Sequence, residues 1–476
     1  MKNRVKLIKH LNQYIIIVIL SIFLILALSS CDFSDHIESQ NEISEDSFIF
    51  VSRVESETSS LIDNQLRRID GITTDFSNNI LRILSDNKVY AFIVTDNVIK
   101  ADNIKCILGH PATIYYYGRI NDNIGVQTAN IEKVIVDTAN ISIEERAKQL
   151  LDIMSVEEKV GQMFLVRCQE EDAIDHINKY HLGGYVLFAK DFNKLKSDVI
   201  DTISNYQEAA KFGMIIATDE EGGEVNRISR YRQFRGVPFR ASQDLYKENG
   251  WELITSDTKE KSELLLSLGV NINLTPVCDV PTQTSSFIFK RSFGTDPVLT
   301  SEYVRKVISE MKRNNIGSVL KHFPGYSDNK DTHKELSYDY REYSTFVEND
   351  FLPFISGINA GADAIMVSHN IVECMDGSNP ASLSKNVHDI IRNELKFDGI
   401  IVTDDLDMQA IHDFISEEEV AVKAVLAGND IICTSEYKIL YASIIEAVKS
   451  NEISQDIIDA VVLKILCWKI KLEIID

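Results

Sequence analysis

The chain has 476 residues, and 44% of them are hydrophobic, which is enough for one large packed domain and a smaller one. This composition excludes an intrinsically disordered chain. The 72 acidic residues exceed the 49 basic ones and give a net charge of -23. Because phosphate backbones are bound by clustered lysine and arginine, this charge argues against nucleic acid as a partner.

The N-terminal segment predicts attachment to a membrane. Lys2, Arg4, Lys6 and Lys9 precede an uncharged run from 11 to 30, which closes on the letters LSSC at Cys31. This arrangement resembles a bacterial lipoprotein signal, in which residues 1–30 are removed and the cysteine receives a lipid. An uncleaved transmembrane anchor is the alternative. Both interpretations put the rest of the chain on the extracytoplasmic face of the cell membrane, and the small residues before Cys31 favour the lipid anchor.

A polar tether and a small β-rich domain follow the signal. Residues 31–47 are acidic and poor in apolar side chains, as expected of a segment that holds a folded domain away from a membrane. Residues 48–137 contain the β-rich segments KVYAFIVTD, ATIYYYGRI and IEKVIVD, and turn residues lie between these segments. We expect a small antiparallel barrel or sandwich there. The region contains no recognisable set of catalytic residues, so its sequence does not indicate a role.

From about residue 141 to 476, strand patterns alternate with amphipathic helical ones. Eight short apolar runs recur, and polar residues close them: GQMFLV, GGYVLF, MIIATD, VNINLTPV, SVLKHF, DAIMVSH, GIIVTDD and DIICTS. Parallel strands that are buried on both faces require continuous apolar runs, so these eight predict an α/β fold of the (β/α)8, TIM-type barrel class. A doubly wound open sheet is the competing fold, but no G-x-G-x-x-G follows the first run.

Polar side chains close several of the predicted strands. In a (β/α)8 barrel the carboxyl ends of the strands and the loops after them form the active site, so residues there are candidates for function. Six such residues converge on this rim: Asp219, Asn273, Lys321, His322, His369 and Asp404. One of them alone would more often be a capping or loop residue, but six on one rim indicate a site.

Five motifs resemble a known family. KHFPGYSDNKDTH, ATDEEGGEVNR, KRSFGTDP, NLTPVCDV and GIIVTDDLDMQAI are similar to segments of the β-N-acetylhexosaminidases of glycoside hydrolase family 3. The resemblance begins at about Met154 and covers roughly the last two-thirds of the chain. It implies a single catalytic barrel that removes terminal β-linked N-acetylglucosamine from cell-wall fragments or other glycans.

The resemblance implies a nucleophile for a retaining mechanism. A retaining glycosidase needs a carboxylate that attacks the anomeric carbon, and a proton donor that later activates water. Asp404, at the end of the seventh predicted strand, is the implied nucleophile. Asp405 and Asp407 are weaker candidates, because Asp405 is placed to cap the following helix and Asp407 lies beyond the strand end.

The implied acid/base is His333, with Asp331 two residues earlier on the loop after the fifth predicted strand. Residues two apart in an extended segment point the same way, so Asp331 can accept from one imidazole nitrogen while the other nitrogen faces the glycosidic oxygen. The carboxylate would fix the tautomer and raise the pKa of the imidazole. A plain loop role suits nearby Asp328 better.

The resemblance also implies the residues that hold the sugar, namely Asp219, Arg227, Arg291, Lys321 and His322. Charged groups that hydrogen-bond a sugar in a partly dry pocket contribute more than neutral ones. Asn273 and His369 are expected only to line the pocket. The family's usual Pro-Gly-His-Gly is Pro-Gly-Tyr326-Ser327 here, and the interval to Asp331 is one residue shorter, so the conformation of this loop is open.

Two other functions remain open at this point. A non-catalytic glycan-binding surface lipoprotein would bind sugar without turnover, and the complete set of Asp331, His333 and Asp404 speaks against it. An N-acetylglucosaminide phosphorylase is closer in chemistry. A neutral histidine beside the glycosyl-enzyme would repel phosphate less than a glutamate would, so transfer to phosphate is conceivable.

No cofactor or metal is expected. A metal-dependent hydrolase would use His322, His333, His369 and Asp404 as ligands, but the first strand, within GQMFLVRCQ, lacks the expected H-x-H. Six cysteines besides Cys31 are scattered singly: Cys106, Cys168, Cys278, Cys374, Cys433 and Cys467. We expect most of these to be small buried side chains and neither disulfides nor ligands.

Overall fold

The computed structural model describes residues 66–77, 80–86, 88–95, 109, 111–117, 120, 126–127, 130–136, 142–332 and 334–475. The expected signal, the lipidated Cys31 and the tether lie outside the described residues, and so does His333. In the described part of the chain, no helix combines the length and the apolar composition that crossing a bilayer requires.

The first part of the described chain forms one six-stranded sheet. The strands are β1 Leu66–Ser77, β2 Ile80–Ser85, β3 Lys88–Ile93, β4 Pro111–Tyr117, β5 Val126–Gln127 and β6 Asn130–Val136. Their order in the sheet is β5-β3-β2-β1-β4-β6. All pairs are antiparallel except β3 with β5. The sheet is mainly antiparallel, as predicted, and among the described residues it is one open sheet and not the expected barrel or sandwich. Buried residues alternate along β4, so one face packs a core around Ile83, Phe92 and Ile114.

An eight-stranded parallel sheet follows and confirms the predicted α/β barrel. Its strands are β7 Phe164–Arg167, β8 Gly184–Val186, β9 Ile215–Thr218, β10 Ile272–Asn273, β11 Gly317–Phe323, β13 Ala364–Val367, β15 Ile400–Thr403 and β16 Ile432–Thr434. They pair in chain order, and β16 pairs with β7. A single parallel bridge between Val402 and Ile431 joins β15 to β16, so the barrel is nearly closed. A short parallel ladder of β12 Tyr338–Asp339 with β14 Ile371–Val372 lies in the connections.

Helices precede, connect and follow the barrel strands. They cover Ile143–Asp152, Val156–Gln162, Ala173–Tyr180, Lys196–Ala209, Ser242–Leu266, Pro297–Arg313, Tyr343–Thr345, Phe351–Ala360, Glu373–Asp376, Lys385–Asp389, Gln409–His412, Glu417–Ala427, Tyr437–Lys449 and Gln455–Lys471. Their starts follow local chemistry. Ser155 and Glu158 form a capping box, and the Asp296 side chain, directly before Pro297, accepts from the backbone N–H groups of Val298 and Leu299.

The barrel strands are buried along almost their whole length, as the apolar runs predicted. Every residue of β9, β11, β13 and β15 is buried. The described cysteines are free thiols, and Cys168, Cys278 and Cys433 are buried as expected, whereas Cys374 is exposed. The polar residues that close the strands therefore stand on an apolar scaffold at one rim.

Candidate active site

A cavity of about 710 Å³ opens at the carboxyl ends of the barrel strands. The structure brings together six of the predicted residues on its walls: Asp219, Arg227, Arg291, Lys321, His322 and Asp404. The volume is that of an ordinary small-molecule site. These residues lie on one rim because the carboxyl ends of the parallel strands, and the loops that follow them, meet there.

Lys321, which lines this cavity, pairs with two carboxylates. Its Nζ lies 2.7 Å from Asp219 Oδ1 and 2.7 Å from Glu221 Oε1, and the lysine is only 2% exposed. Burial lowers the pKa of Lys321, but the attraction of the two carboxylates outweighs it, so the pKa lies above the ordinary value. The lysine is therefore a fixed, charged donor.

Arg291 ties Glu221 to His322. Its Nε and Nη2 donate to the two Glu221 oxygens over 3.1 and 2.8 Å, a bidentate pair. Burial opposes the ionisation of Glu221, but Arg291 and Lys321 lower its pKa well below the usual range. Arg291 Nη2 also lies 3.4 Å from His322 Nε2.

Asp279 orients the ring of His322. Asp279 Oδ2 lies 2.7 Å from His322 Nδ1, and the carboxylate is 1% exposed. With a proton on Nδ1, the histidine donates to Asp279 and leaves Nε2 as the acceptor toward Arg291. The ring is thus held from both sides.

The loop after β9 presents Arg227 to the cavity. Glu220, fully buried, accepts from the backbone N–H groups of Arg227 and Ile228 over 2.8 and 2.7 Å. The guanidinium of Arg227 then reaches Asp219 Oδ2 at 3.4 Å. Glu220 is a loop organiser, because its oxygens are occupied by this turn.

Asp404 follows the last residue of β15 directly, as predicted. Its backbone N–H donates to the carbonyl of Val367 over 2.9 Å, which continues the parallel ladder with β13. Its Oδ1 accepts from the N–H of Asp405 over 2.9 Å. The carboxylate therefore lies on a rigid strand end and lines the cavity.

Asp405 faces the same cavity but has different partners. Its Oδ2 accepts from Arg167 over 2.9 Å, and its Oδ1 accepts from the N–H of Asp407 over 3.1 Å. The prediction that Asp405 caps the following helix was wrong, because helix Gln409–His412 begins after Met408 without a side-chain cap. Burial raises the pKa of Asp405 to about 6.

Asp331 lies on the loop after β11 and lines a separate cavity of about 400 Å³. Its Oδ2 lies 3.3 Å from Lys334 Nζ. Asp328, on the same loop, accepts from the backbone N–H groups of Thr282 and Gln283 over 3.1 Å each. Because His333 lies outside the described residues, the Asp331–His333 dyad stays a prediction.

Asn273 and His369 do not line the cavity, contrary to expectation. The Asn273 side chain bonds both backbone groups of Glu220 over 3.0 and 3.1 Å. His369 Nε2 lies 3.0 Å from the carbonyl of Asp405, and Nδ1 lies 2.8 Å from Ser382 Oγ. Both side chains organise the backbone of the rim. Within the part of the chain that the structure describes, no three His, Cys, Asp or Glu side chains gather as metal ligands do.

Three residues of the site were missed by the sequence reasoning. Glu221 stands two positions after Asp219, and Asp279 closes the motif after the fourth strand, so position alone could have marked both. Arg167 follows the first strand's apolar residues, and its guanidinium stacks on Phe188 at 4.5 Å. Each was missed because its partner is distant in sequence.

Comparison with known proteins assigns the barrel region to a family. Residues 155–467 match the family described as Glycosyl hydrolase family 3 N terminal domain. A Beta-hexosaminidase of Nitrosomonas eutropha is 32% identical over 256 residues, which is 53% of this chain and 73% of the relative. A Beta-hexosaminidase of Hydrogenovibrio crunogenus is 30% identical over 266 residues, 53% of this chain and 71% of the relative.

Solved structures share the fold. A family 3 β-N-acetylglucosaminidase from Paenibacillus sp. FPU-7 aligns with a TM-score of 0.64 and 28% identity, over 67% of this chain and 63% of that chain. A β-glucoside phosphorylase, BglX, aligns with a TM-score of 0.64 at 19% identity, over 71% of this chain and 62% of that one, a likeness of fold alone. Because the family match extends over more than half of the chain, the chain belongs to glycosyl hydrolase family 3 and is a glycoside hydrolase of the β-hexosaminidase type.

Proposed function

We propose that the chain is a retaining exo-β-N-acetylglucosaminidase, which removes terminal β-linked N-acetylglucosamine from cell-wall or other glycans. The observation that carries the proposal is that Asp404 and the five predicted sugar-binding residues line one cavity. Similarity to β-hexosaminidases and to a β-N-acetylglucosaminidase supports the N-acetyl sugar as substrate.

The charged residues of the cavity suit a neutral, hydroxyl-rich ligand. Lys321 and Arg291 are donors that stay charged, and Asp219 is an acceptor whose ionisation is opposed by burial but favoured by Lys321. Held in place by one another, these groups lose little freedom when they hydrogen-bond a sugar. We assign them, with Arg227 and His322, to sugar binding.

In the first step, the Asp404 carboxylate attacks the anomeric carbon and forms a glycosyl ester. The bond from the anomeric carbon to the glycosidic oxygen breaks, and the protonated His333 gives its proton to that oxygen. In the second step, His333 takes a proton from water, and the water oxygen attacks the anomeric carbon. The Asp404 carboxylate leaves, and two inversions give net retention of configuration.

Asp331 has a supporting role in this scheme. It would accept from the second imidazole nitrogen of His333, select the tautomer and stabilise the imidazolium. Loss of His333 should hurt most when the leaving group is poor, because an alkoxide needs a proton to depart and an activated phenolate does not.

The first experiment is an assay on aryl β-glycosides, with N-acetylglucosaminide and glucoside compared. We expect the enzyme to turn over the N-acetylglucosaminide and to release a first product in the β configuration. The turnover rate of Asp404→Asn should be lower than that of the wild type by about 10³-fold or more. Asp413→Asn, outside the cavity, is the matched control. A variant Asp404→Asn that keeps a tenth of the wild-type rate would move the nucleophile elsewhere, and binding without turnover would leave only a glycan-binding protein.

The same assay with added inorganic phosphate decides between acceptors. Hydrolysis gives free sugar at an unchanged rate, whereas a phosphorylase would release sugar 1-phosphate and depend on phosphate. If sugar 1-phosphate were the main product, the protein would be a phosphorylase and not a hydrolase.

The second experiment tests the dyad. His333→Ala should keep much more of its glycosylation rate on a dinitrophenyl N-acetylglucosaminide than on a chitobiose-like substrate. Asp331→Asn should show a milder form of the same pattern, since the imidazole remains. Equal losses on both substrates would show that His333 does not transfer the proton.

We further propose that the mature chain begins at a lipidated Cys31 and is anchored at the extracytoplasmic face of the cell membrane. The support is the basic start, the apolar run and the small residues before Cys31. Wild-type protein should partition with membranes, and Cys31→Ala should block lipidation and signal cleavage together. A mature N-terminus mapped to an unmodified residue past Cys31 would refute this.

A further inference from the structure

Tyr326 occupies a place of its own at the rim of the barrel. The residue is 2% exposed and packs with Val277 and Ile288 in a small apolar cluster that is separate from the barrel core. Its ring centroid lies 5.2 Å from that of Phe287 and 5.1 Å from that of His322. The ring therefore touches one of the residues assigned to sugar binding.

Asp279 links the backbone of Tyr326 to His322. Asp279 Oδ1 accepts from the N–H of Tyr326 over 2.8 Å, while Asp279 Oδ2 lies 2.7 Å from His322 Nδ1. One buried carboxylate thus sets the relative positions of Tyr326 and His322. Tyr326 is a rigid point of the site, because both its ring and its main chain are held.

The hydroxyl of Tyr326 reaches across the loop to Thr332. The two hydroxyl oxygens are 2.7 Å apart, and Thr332 is fully buried. Burial, and next the charge of Asp404, raise the pKa of Tyr326 far above its ordinary value, so the phenol keeps its proton and can donate. Thr332 is held between Asp331 and His333 in the chain.

We infer that Tyr326 is a positioning residue, which fixes Thr332, the residue between Asp331 and the proposed acid/base in the chain, through a hydrogen bond between the two hydroxyl groups. This inference rests on the proposed function, because it concerns the proposed acid/base. The N–H of Lys334 donates to the carbonyl of Asp331 over 3.0 Å and closes a turn in which Thr332 lies, so fixing Thr332 fixes the position of this turn. A small misplacement of a proton donor costs rate without changing how the sugar binds.

The test is Tyr326→Phe, which removes the hydroxyl and keeps the ring packed against Phe287 and His322. We expect the glycosylation rate on a chitobiose-like substrate to fall by about tenfold, which corresponds to one hydrogen bond of about 1.4 kcal/mol. The rate on the dinitrophenyl N-acetylglucosaminide should change much less, and KM should stay within about twofold. A residue with only a structural role would lower both rates together.

Thr332→Val removes the other hydroxyl group of the same hydrogen bond. It should reproduce the Tyr326→Phe pattern, and the double variant should be no worse than either single one. Tyr343→Phe is the matched control. Its hydroxyl donates to Glu394 over 2.6 Å, away from this loop, so its rates should equal the wild type.

The outcomes separate the inference from the proposed function. Unchanged rates in Tyr326→Phe, or equal losses on both substrates, would overturn the positioning role if His333→Ala still discriminates between leaving groups. If His333→Ala itself shows no dependence on the leaving group, the proposed acid/base fails first, whatever Tyr326 does. Additive losses in the double variant would also overturn the inference.

Discussion

Two buried lysines at opposite ends of the barrel are held in opposite ways. Lys321, at the carboxyl rim, lies 2.7 Å from a carboxylate oxygen of Asp219 and of Glu221. Lys469, in helix Gln455–Lys471, is fully buried and donates to Gln162 Oε1 over 2.6 Å and to a backbone carbonyl over 2.8 Å. One lysine has ionic partners, and the other has neutral ones.

The pKa values of the two lysines follow from these partners. Burial disfavours the charged form in both cases. Burial alone lowers the pKa of Lys469 to about 7, whereas the two carboxylates reverse the effect of burial and raise the pKa of Lys321. Lys321 at the rim therefore keeps its charge, whereas Lys469 loses its charge as the pH rises through about 7. A buried ion pair adds little net stability, so the charged set of the rim is best explained by its function.

The largest effect should come from Lys321→Met. The change leaves two buried carboxylates without their shared cation, which costs about 3–5 kcal/mol in the free energy of unfolding. Because Lys321 is also a proposed sugar-binding donor, its loss should lower kcat/KM as well, by about 10²-fold or more. Chemical unfolding and steady-state kinetics measure the two effects.

Lys159→Met is the control for Lys321→Met. Lys159 is also an ion-paired, largely buried lysine, 2.7 Å from Asp459, but it stands before β7 at the other end of the barrel. This variant should lose stability and keep its kcat/KM. Equal losses of kcat/KM in both variants would show that the activity merely follows stability.

The next effect concerns the shape of the rim loop after β11. Gly325 has a φ of 119°, and a Cβ at this position would strike Asp350 Oδ1. Gly325→Ala should therefore cost about 1–3 kcal/mol in the free energy of unfolding. Gly236→Ala is the control, since no atom lies within 4 Å of its Cβ position. Equal melting temperatures for the two variants would contradict the clash.

A smaller effect should appear in the pH dependence of stability, and it comes from Lys469. Its folded pKa of about 7 lies below the unfolded value of about 10.4, so the unfolded chain binds more protons between these values. The free energy of unfolding should therefore rise with pH across this window, by at most about 1.4 kcal/mol per pH unit from this group. Lys469→Met should remove that rise. Parallel curves for variant and wild type, compared by urea unfolding at several pH values, would refute it.

The smallest effect is expected for Asp405→Asn. Burial raises the pKa of Asp405 to about 6, although the hydrogen bond from the backbone N–H of Asp407 and the charge of Arg167 lower it; the charges of Asp407 and Asp404 add smaller upward contributions. Because this charge lies beside Asp404, the proposed nucleophile, wild-type kcat/KM should change slope near pH 6, and the variant should lose that inflection. Its kcat/KM at the optimum should fall by no more than about tenfold. Asp407→Asn is the control and should keep the inflection. If the inflection persisted in Asp405→Asn, it would have to come from the titration of another group.

The strand ends explain how much of the site was readable from the sequence. Lys321 and Asp404 close apolar runs of the kind that form buried parallel strands, and all such strands end at one rim. Their place was thus predictable from a local pattern and one rule of topology. The small β-rich region was read less well, because alternation predicts strands but leaves open whether they form one sheet or two.

The sequence by itself determined the barrel, the rim and most of the polar residues on it, because periodicity and short motifs are local properties. Only the tertiary structure decided the partners. Glu221 joins Arg291 across 70 residues, Asp279 joins His322 across 43, and Arg167 joins Asp405 across 238. No local pattern encodes such pairs, since they exist only when closure of the barrel brings distant strand ends together.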